Sequence, residues 1–319
     1  MKTLIHSNLE YAAEELKAGE VVAIPTETVY GLAGNALNDD AVLKIFSVKE
    51  RPFFDPLIVH TYSVEAAEQW VETIPDAARL LFQAFSPGPI TILLKKKKII
   101  SDLVTSGLPD VAIRIPDHSL ALELLKKCNL PLAAPSANPF GYISPTTAQH
   151  VFDQLQGKIN SIIDGGACRV GVESTIVGFE GEKIIVYRLG GLSIEAIENV
   201  VGKVTIQKHS SSNPKAPGLL KSHYAPRKPL ILTELNEVTF SSFQNKKIGV
   251  LRFSDAVSNV VAHQEILSPE KNLEEAAKKL FAALRHLDSL DIDIILAERF
   301  PDEGLGRAIN DRLARAAAK

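Results

Sequence analysis

"AIPTETVYGLAGNA", Ala23–Ala36, begins as an apolar strand and ends as a turn. Three polar side chains stand between the two in succession, Thr26, Glu27 and Thr28. Small polar groups at the carboxyl end of a buried strand are where α/β sheets place ligands. The kind of sheet this strand enters is decided by its neighbours along the chain.

Upstream, Ser7 and Glu10 read as a capping box for an amphipathic helix through Leu16, closed by Gly19. Downstream, Asn38 or Asp39 caps a helix over "AVLKIFSV", and Ser63 and Pro75 open two more. "SLALELLKK", "TTAQHVFDQL" and "SIEAIENVV" have helical periodicity. "PLIVHTY", "PITILL", "VAIRIP", "LPLAAP", "SIIDGG", "STIVGF" and "KIIVYRL" read as strands. Interleaved strands and helices predict an α/β layered sheet. The last three strands follow one another closely, so part of that sheet is expected to be antiparallel. From Ile206 to Pro229 the pattern breaks into a stretch with four prolines and four serines, a linker or functional loop. Beyond it "LILT", "KIGVLRF", "NLEEAAKKLFAALRHL", "IDIILAERF" and "RAINDRLARAAA" predict a small C-terminal Rossmann-like α/β domain without a GxGxxG turn. The expected division is a first domain over 1–205, a linker over 206–229 and a second domain over 230–319.

The length of 319 residues suits two domains, and an apolar share of 45% suffices for their cores. A formal charge of −3 argues against a dedicated nucleic-acid binder. Cys128 and Cys168 make neither a disulfide framework nor metal-ligand spacing. There is no signal-peptide core and no apolar run of about 18 residues. A cytoplasmic setting, with no membrane contact, is expected.

Chemistry concentrates at strand ends. In "KERPFFDPLIVH", Lys49 and Arg51 lie two apart where helix gives way to extended chain. Two cations on one face suit a polyphosphate, although Lys and Arg also end helices to suit the dipole. Ser136 and Asn138 leave an apolar strand between two prolines, a site or an ordinary turn. Arg114 sits within the apolar strand "VAIRIP". Such a guanidinium needs an anion, either a structural carboxylate or a ligand's. His60, Ser174, Thr175 and Arg188 close other strands and are weak signals alone.

Taken in order, "PTETVYGLAGNA", "KERPFFDPLIVH", "PSANPFGYISPT", "GVESTIV" and "RLGG" strongly resemble the YrdC-like family. With "APGLLKSHYAP" and the second domain, the chain resembles the two-domain threonylcarbamoyl-AMP synthases. The resemblance implies a twisted mixed parallel and antiparallel sheet with helices, around a concave basic cavity. It implies a nucleotidyltransferase reaction: L-threonine, bicarbonate and ATP, the last with Mg²⁺, give L-threonylcarbamoyl-AMP and pyrophosphate. The product passes to a tRNA threonylcarbamoyl-transfer complex, without stable tRNA binding by this chain. Carried over residue by residue, Thr28, His60 and Arg114 face threonine, and Lys49 and Arg51 face the phosphates. Asp55, Ser136, Asn138, Ser144, Ser174, Arg188 and Tyr224 are similar to nucleotide-contacting positions, with backbone near Asp110 and Ala134 contributing. The linker would then be a lid. It departs from the family's "SPGMKYRHYAP" in its middle, keeping Pro-Gly and His-Tyr-Ala-Pro. The rival reading is an RNA-binding module of the same fold, which the near-neutral composition disfavours.

Overall fold

The computed structural model describes residues 2–207, 216–218, 220–256 and 261–318. Of the expected linker, 208–215 and 219 lie outside the described residues. The first domain runs β1 (Leu4–His6), α1 (Leu9–Lys17), β2 (Val22–Ile24), β3 (Gly31–Asn35), α2 (Asp39–Lys49), β4 (Ile58–His60), α3 (Val64–Ala67) and α4 (Asp76–Phe85). It continues β5 (Ile90–Lys95), α5 (Asp102–Thr105), β6 (Asp110–Arg114), α6 (Ser119–Cys128), β7 (Leu132–Ala133), α7 (Ala148–Leu155) and β8 (Ser161–Ile163). It closes with β9 (Thr175–Glu180), β10 (Lys183–Arg188), α8 (Ile194–Val201) and β11 (Thr205–Ile206).

These strands form one mixed sheet in the order β1-β8-β2-β3-β7-β4-β6-β5-β9-β10-β11. Three expectations change. The stretch read as a turn after Thr28 contains β3, antiparallel to both β2 and β7, because pairing on both sides outweighs its weak strand composition. The strand "SII" is not beside the β9–β10 hairpin. It is fully buried and lies parallel between β1 and β2. The cap of α1 is Asn8, whose side chain accepts from the Tyr11 amide, rather than Ser7.

The two faces of the sheet are covered unequally, and this makes the site. Val42, Ile45 and Phe46 of α2, Leu81 and Phe82 of α4, Val151 of α7 and Ile197 of α8 pack one face as a continuous core. On the other face α1 and α6 cover only the end carrying Val22, Ile24, Ala33 and Leu132. The strands β4, β6, β5, β9 and β10 are left without a helix on that side.

The second domain runs β12 (Leu230–Leu232), α9 (Glu237–Ser242), β13 (Ile248–Arg252), β14 (His263–Ile266), α10 (Leu273–Ser289), β15 (Ile294–Ala297) and α11 (Gly306–Ala317). Its four strands are all parallel, in the order β12-β15-β13-β14. Phe240 of α9 packs one face with Val250 and Leu296, and α10 and α11 pack the other. The core made by α10 and α11 reaches into the first domain, taking in Val29, Ile143 and Val172 together with Tyr224 of the linker. At Gly171 (φ +81) a Cβ would lie 2.4 Å from the Lys278 Cα, so the backbone of α10 rests directly on this loop. Among the described residues no helix is long and apolar enough to cross a membrane.

Phe281 is fully buried in this shared core and stacks on Tyr224 with ring centroids 5.7 Å apart. Phe281→Ala should lower unfolding free energy by about 3–5 kcal/mol in urea denaturation. A loss under about 1 kcal/mol would mean the interdomain core contributes little.

Candidate active site

His60 of β4 is directly opposite Arg114 of β6, and Ile58 is opposite Ala112. Opposed residues project from the same face, here the face without helices. Ile58, His60 and Arg114 floor a cavity of about 50 Å³. Arg51 enters from the loop after α2, Ala134 and Ser136 from the end of β7, Glu173 from the loop before β9, and Arg188 from the end of β10. Pro217, Gly218, His223 and Tyr224 of the linker roof it. Seven of the residues expected from sequence thus meet here: Arg51, His60, Arg114, Ala134, Ser136, Arg188 and Tyr224.

Others stand one layer behind and hold those seven. Thr28 accepts from Arg114 Nη2 at 2.7 Å. Asp55 pairs with Arg51 at 2.8 Å. Ser174 meets Arg188 through its carbonyl at 2.9 and 3.0 Å and its hydroxyl at 3.1 Å. Ser144 donates to Glu173 at 2.6 Å. Asn138 donates to the carbonyls of Pro139 and Tyr142, which turns the loop after Ser136.

Two expected positions fall elsewhere. Lys49 does not share a face of the cavity with Arg51. Glu50 takes a left-handed conformation (φ 54), which breaks the alternation an extended segment would give. The Lys49 ammonium is buried and donates to the carbonyls of Ser136 and Asn138. Asp110 is on the same face of β6 as Arg114 but four residues away, about 13 Å along the strand. It pairs with Lys95 at 2.9 Å and lines a second cavity of about 400 Å³ with Leu93 and Tyr187. Between the two cavities Ala216 packs on Ile58, Leu93, Ala112, Ile176, Ile185 and Tyr187.

The electrostatics follow from burial. Arg51 is paired with Asp55, and Arg114 with Glu27 at 2.8 Å. Behind Glu173, Arg312 of the second domain closes a third pair at 2.8 Å. Among the described residues, Lys49 and Arg188 are different, donating to carbonyls and a hydroxyl rather than to a carboxylate. Burial, with Arg51 nearby, pushes the Lys49 ammonium well below its ordinary value. Burial lowers the Arg188 guanidinium to about 10. Burial, helped by the Arg114 charge, drives the His60 imidazole down to about 3, and His223 is lowered in the same way. The cation at the cavity wall that lacks a carboxylate partner is therefore Arg188. Buried polar atoms here without a hydrogen-bond partner among the described residues include Arg114 Nε, His60 Nδ1, Asn138 Oδ1, His223 Nδ1, Glu27 Oε1 and both Asp55 carboxylate oxygens, the last three answered only by ion pairing. Buried polar atoms are normally satisfied, so the first four await a ligand with both donors and acceptors.

Sequence reading noted Glu27 only as part of a polar row and assigned no role to Glu173, His223, Gly218 or Arg312. Glu27 and Glu173 lie inside quoted motifs, but nothing local marks their partners. Arg312 carried a signal: with Ile309, Leu313 and Ala316 it forms one helical face, and a charge on an apolar face is costly. At Gly218 (φ +77) a Cβ would lie 2.8 Å from the Tyr224 hydroxyl oxygen and 3.3 Å from Arg188. The Pro217 carbonyl accepts from Arg188 Nη1 at 3.3 Å. Within the linker Lys221 and Ser222 are exposed, while Pro217, Gly218, His223 and Tyr224 are buried.

Fixed guanidiniums around a buried cavity, roofed by a segment between two domains, define a two-domain α/β protein with a basic, roofed site. A family model described as "Telomere recombination", that of Sua5, YciO and YrdC, matches residues 14–190. A second, "Threonylcarbamoyl-AMP synthase, C-terminal domain", matches 192–318. The threonylcarbamoyl-AMP synthase of Pyrococcus abyssi is 41% identical over 97% of this chain and 93% of its own. That of Bacillus subtilis is 42% identical over 96% and 92%. The crystal structure of P. abyssi Sua5 complexed with L-threonine superposes with a TM-score of 0.93, covering 99% of this chain and 98% of that one at 39% identity. The chain belongs to the Sua5/YciO/YrdC family, in its two-domain form.

Removing one member of a buried pair leaves the other charge uncompensated, whereas an exposed pair contributes little. Glu27→Gln should therefore cost about 3–5 kcal/mol in urea unfolding. Glu20→Gln, which breaks the exposed pair with Lys44, should cost under about 1 kcal/mol. Similar losses would contradict this electrostatic account. His60 gives a second check. Its folded value of about 3 is below the ordinary 6.5, so the unfolded chain takes the proton first. Stability present above pH 6.5 is lost as pH falls towards 3. His150, lowered to about 4, adds a slope of the same sign. Relative to His60→Gln, the wild-type protein should lose stability more steeply below pH 6, by a slope approaching ~1.4 kcal/mol per pH unit. Parallel curves would show that His60 is protonated without cost.

Proposed function

We propose that this chain makes L-threonylcarbamoyl-AMP from L-threonine, bicarbonate and ATP, releasing pyrophosphate. The observation that carries the reading is Arg114: a buried guanidinium on the cavity floor, pinned by Glu27 and Thr28, with Nε left unpartnered. That geometry suits the carboxylate of a small amino acid. The relatives' names and the threonine-bound P. abyssi structure support the same assignment.

Threonine's amine and bicarbonate, or CO₂ formed from it, give a carbamate. A carbamate oxygen attacks the α-phosphorus of ATP, the bond to the β-phosphate oxygen breaks, and pyrophosphate leaves. Charge spreads over the transferring group, so fixed cations are the useful equipment. Arg51 and Arg188 supply them at the cavity wall. Lys49 acts from behind by holding the Ser136 and Asn138 carbonyls. No side-chain nucleophile is required, and much of the rate comes from holding the reactants in line. Mg²⁺ enters as the counter-ion of ATP. Such an ion is bound mainly by phosphate oxygens and water.

The nucleotide would run along the bare sheet face, phosphates at Arg51 and Arg188 and base towards the apolar cavity beside Asp110 and Tyr187. Ala216, Pro217 and Gly218 lie across that path, so the linker rises to admit ATP and falls to protect the carbamate from water. The product's threonylcarbamoyl group then goes to tRNA through a separate transfer complex.

Pyrophosphate release from purified protein with Mg²⁺-ATP should need both threonine and bicarbonate, and no tRNA. Release that ignores threonine would sink the reading. Affinity for RNA that falls steeply with salt, with no turnover, would favour a binding module instead. Arg114→Ala should raise the KM for threonine about 100-fold and that for ATP far less. Equal changes would remove Arg114 from the threonine site.

A further inference from the structure

We propose that Arg312, on the last helix of the second domain, is a positioning residue for the nucleotide site of the first. The inference rests on the reaction proposed above. Arg312 has no exposed surface, and α11 carries it inward among Ile309, Leu313 and Ala316. Its Nε donates to Glu173 Oε2 at 2.8 Å, its Nη2 to the Leu189 carbonyl at 2.9 Å and its Nη1 to Asp311 at 2.6 Å. Its guanidinium carbon lies 4.9 Å from the centre of the Tyr224 ring. Each contact is one residue from the nucleotide site. Glu173 lines the cavity and takes the Ser144 proton, Leu189 follows Arg188, and Tyr224 is in the roof. One side chain thereby fixes three groups from separate parts of the chain.

The contrast with Arg285 separates this role from mere docking. Arg285 of α10 also crosses between the domains, but donates to the backbone carbonyls of Ile143 and Ser144 and to Gln154. Arg312 instead goes to the one carboxylate lining the main cavity. As a source of stability alone a buried ion pair is a poor choice, since apolar residues of like volume commonly do as well.

Arg312 also sets a proton. Facing Glu173 are Arg312 from α11, Arg188 from β10, Tyr224 from the linker and the Ser144 hydroxyl. Burial would raise the carboxyl, but Arg312, Arg188 and Ser144 outweigh it and hold it below 4.5. As a carboxylate it accepts the Ser144 proton, leaving Ser144 Oγ able only to accept. That suits a ribose hydroxyl or a cation and not a phosphate oxygen. Without Arg312, Glu173 protonates at higher pH and this polarity is lost.

The test is calorimetric binding of Mg²⁺-ATP against pH, with pyrophosphate release alongside, for wild type, Arg312→Gln, Arg312→Lys, Glu173→Gln and the double variant. Arg312→Gln should weaken ATP binding about 10- to 100-fold, leave the KM for threonine within about threefold, and move the acid limb up by about one pH unit. Arg312→Lys should restore the acid limb but not the affinity, because an ammonium lacks the planar fork. In the Glu173→Gln background, where no buried carboxylate is stranded, Arg312→Gln should add less than about threefold. Arg307→Gln on the same helix, which breaks pairs with Glu195 and Asp302 away from the cavity, should bind as wild type does. The proposal is overturned if Arg312→Gln folds with unchanged affinity and acid limb, or if the two single effects multiply. A wild type that binds ATP but releases no pyrophosphate defeats the proposed reaction while the Arg312 binding result still decides its own case. A wild type that binds no ATP defeats both.

Discussion

A guanidinium on the buried face of a sheet has to be answered, and the answer organises this protein. Arg114 points from the end of β6 into a region almost closed to water, where an unpaired charge would cost several kcal/mol. Glu27, from the connection between β2 and β3, meets it, and Thr28 meets it again. The polar row after β2 is therefore the electrostatic complement of a strand that pairs elsewhere in the sheet. The same logic recurs at Arg51 with Asp55 and at Arg312 with Glu173. Arg188 keeps a charge that no carboxylate answers, and so the cavity remains attractive to anions in a chain whose formal charge is −3.

This arrangement assigns the second domain a part in the first domain's site. Its parallel sheet stands apart, yet α10 and α11 share a core with Val29, Ile143 and Val172. The linker is held at both levels. Arg315 donates to the Leu220 carbonyl and accepts from the His223 amide, while Tyr224 lies between Phe281 and Arg312. Tyr224 has a left-handed backbone (φ 63), which turns its ring down to the site. A roof anchored in one domain and resting on the other can report on how the two are docked.

What the sequence made legible was local. Helices α2, α6 and α10 announce themselves by periodicity and by caps at their ends, and Arg114 by its apolar neighbours. The parallel C-terminal sheet follows from alternating strand and helix patterns. What was hidden depends on distant partners. Strand β1 exists because β8 pairs with it from far along the chain, and β3 because β2 and β7 flank it. The short elements α9 and β14 likewise passed unread. Glu173 looks like an ordinary residue in "GVEST" until Arg312 arrives from the last helix. Lys49 and Arg51 do not share the face that an extended segment would give them, because Glu50 takes a left-handed turn that no local pattern announced.

Strand β6 is also a measuring rod. Arg114 marks one end of it and Asp110 the other, and both face the same way on a backbone locked into the sheet by β4 and β5. Unlike two groups on facing loops, these cannot drift apart or together. If an amino-acid carboxylate sits at one mark and a purine at the other, the molecule joining them must have a set span, whatever the linker above is doing. Selection by length would then be built into the sheet, while selection by timing belongs to the roof.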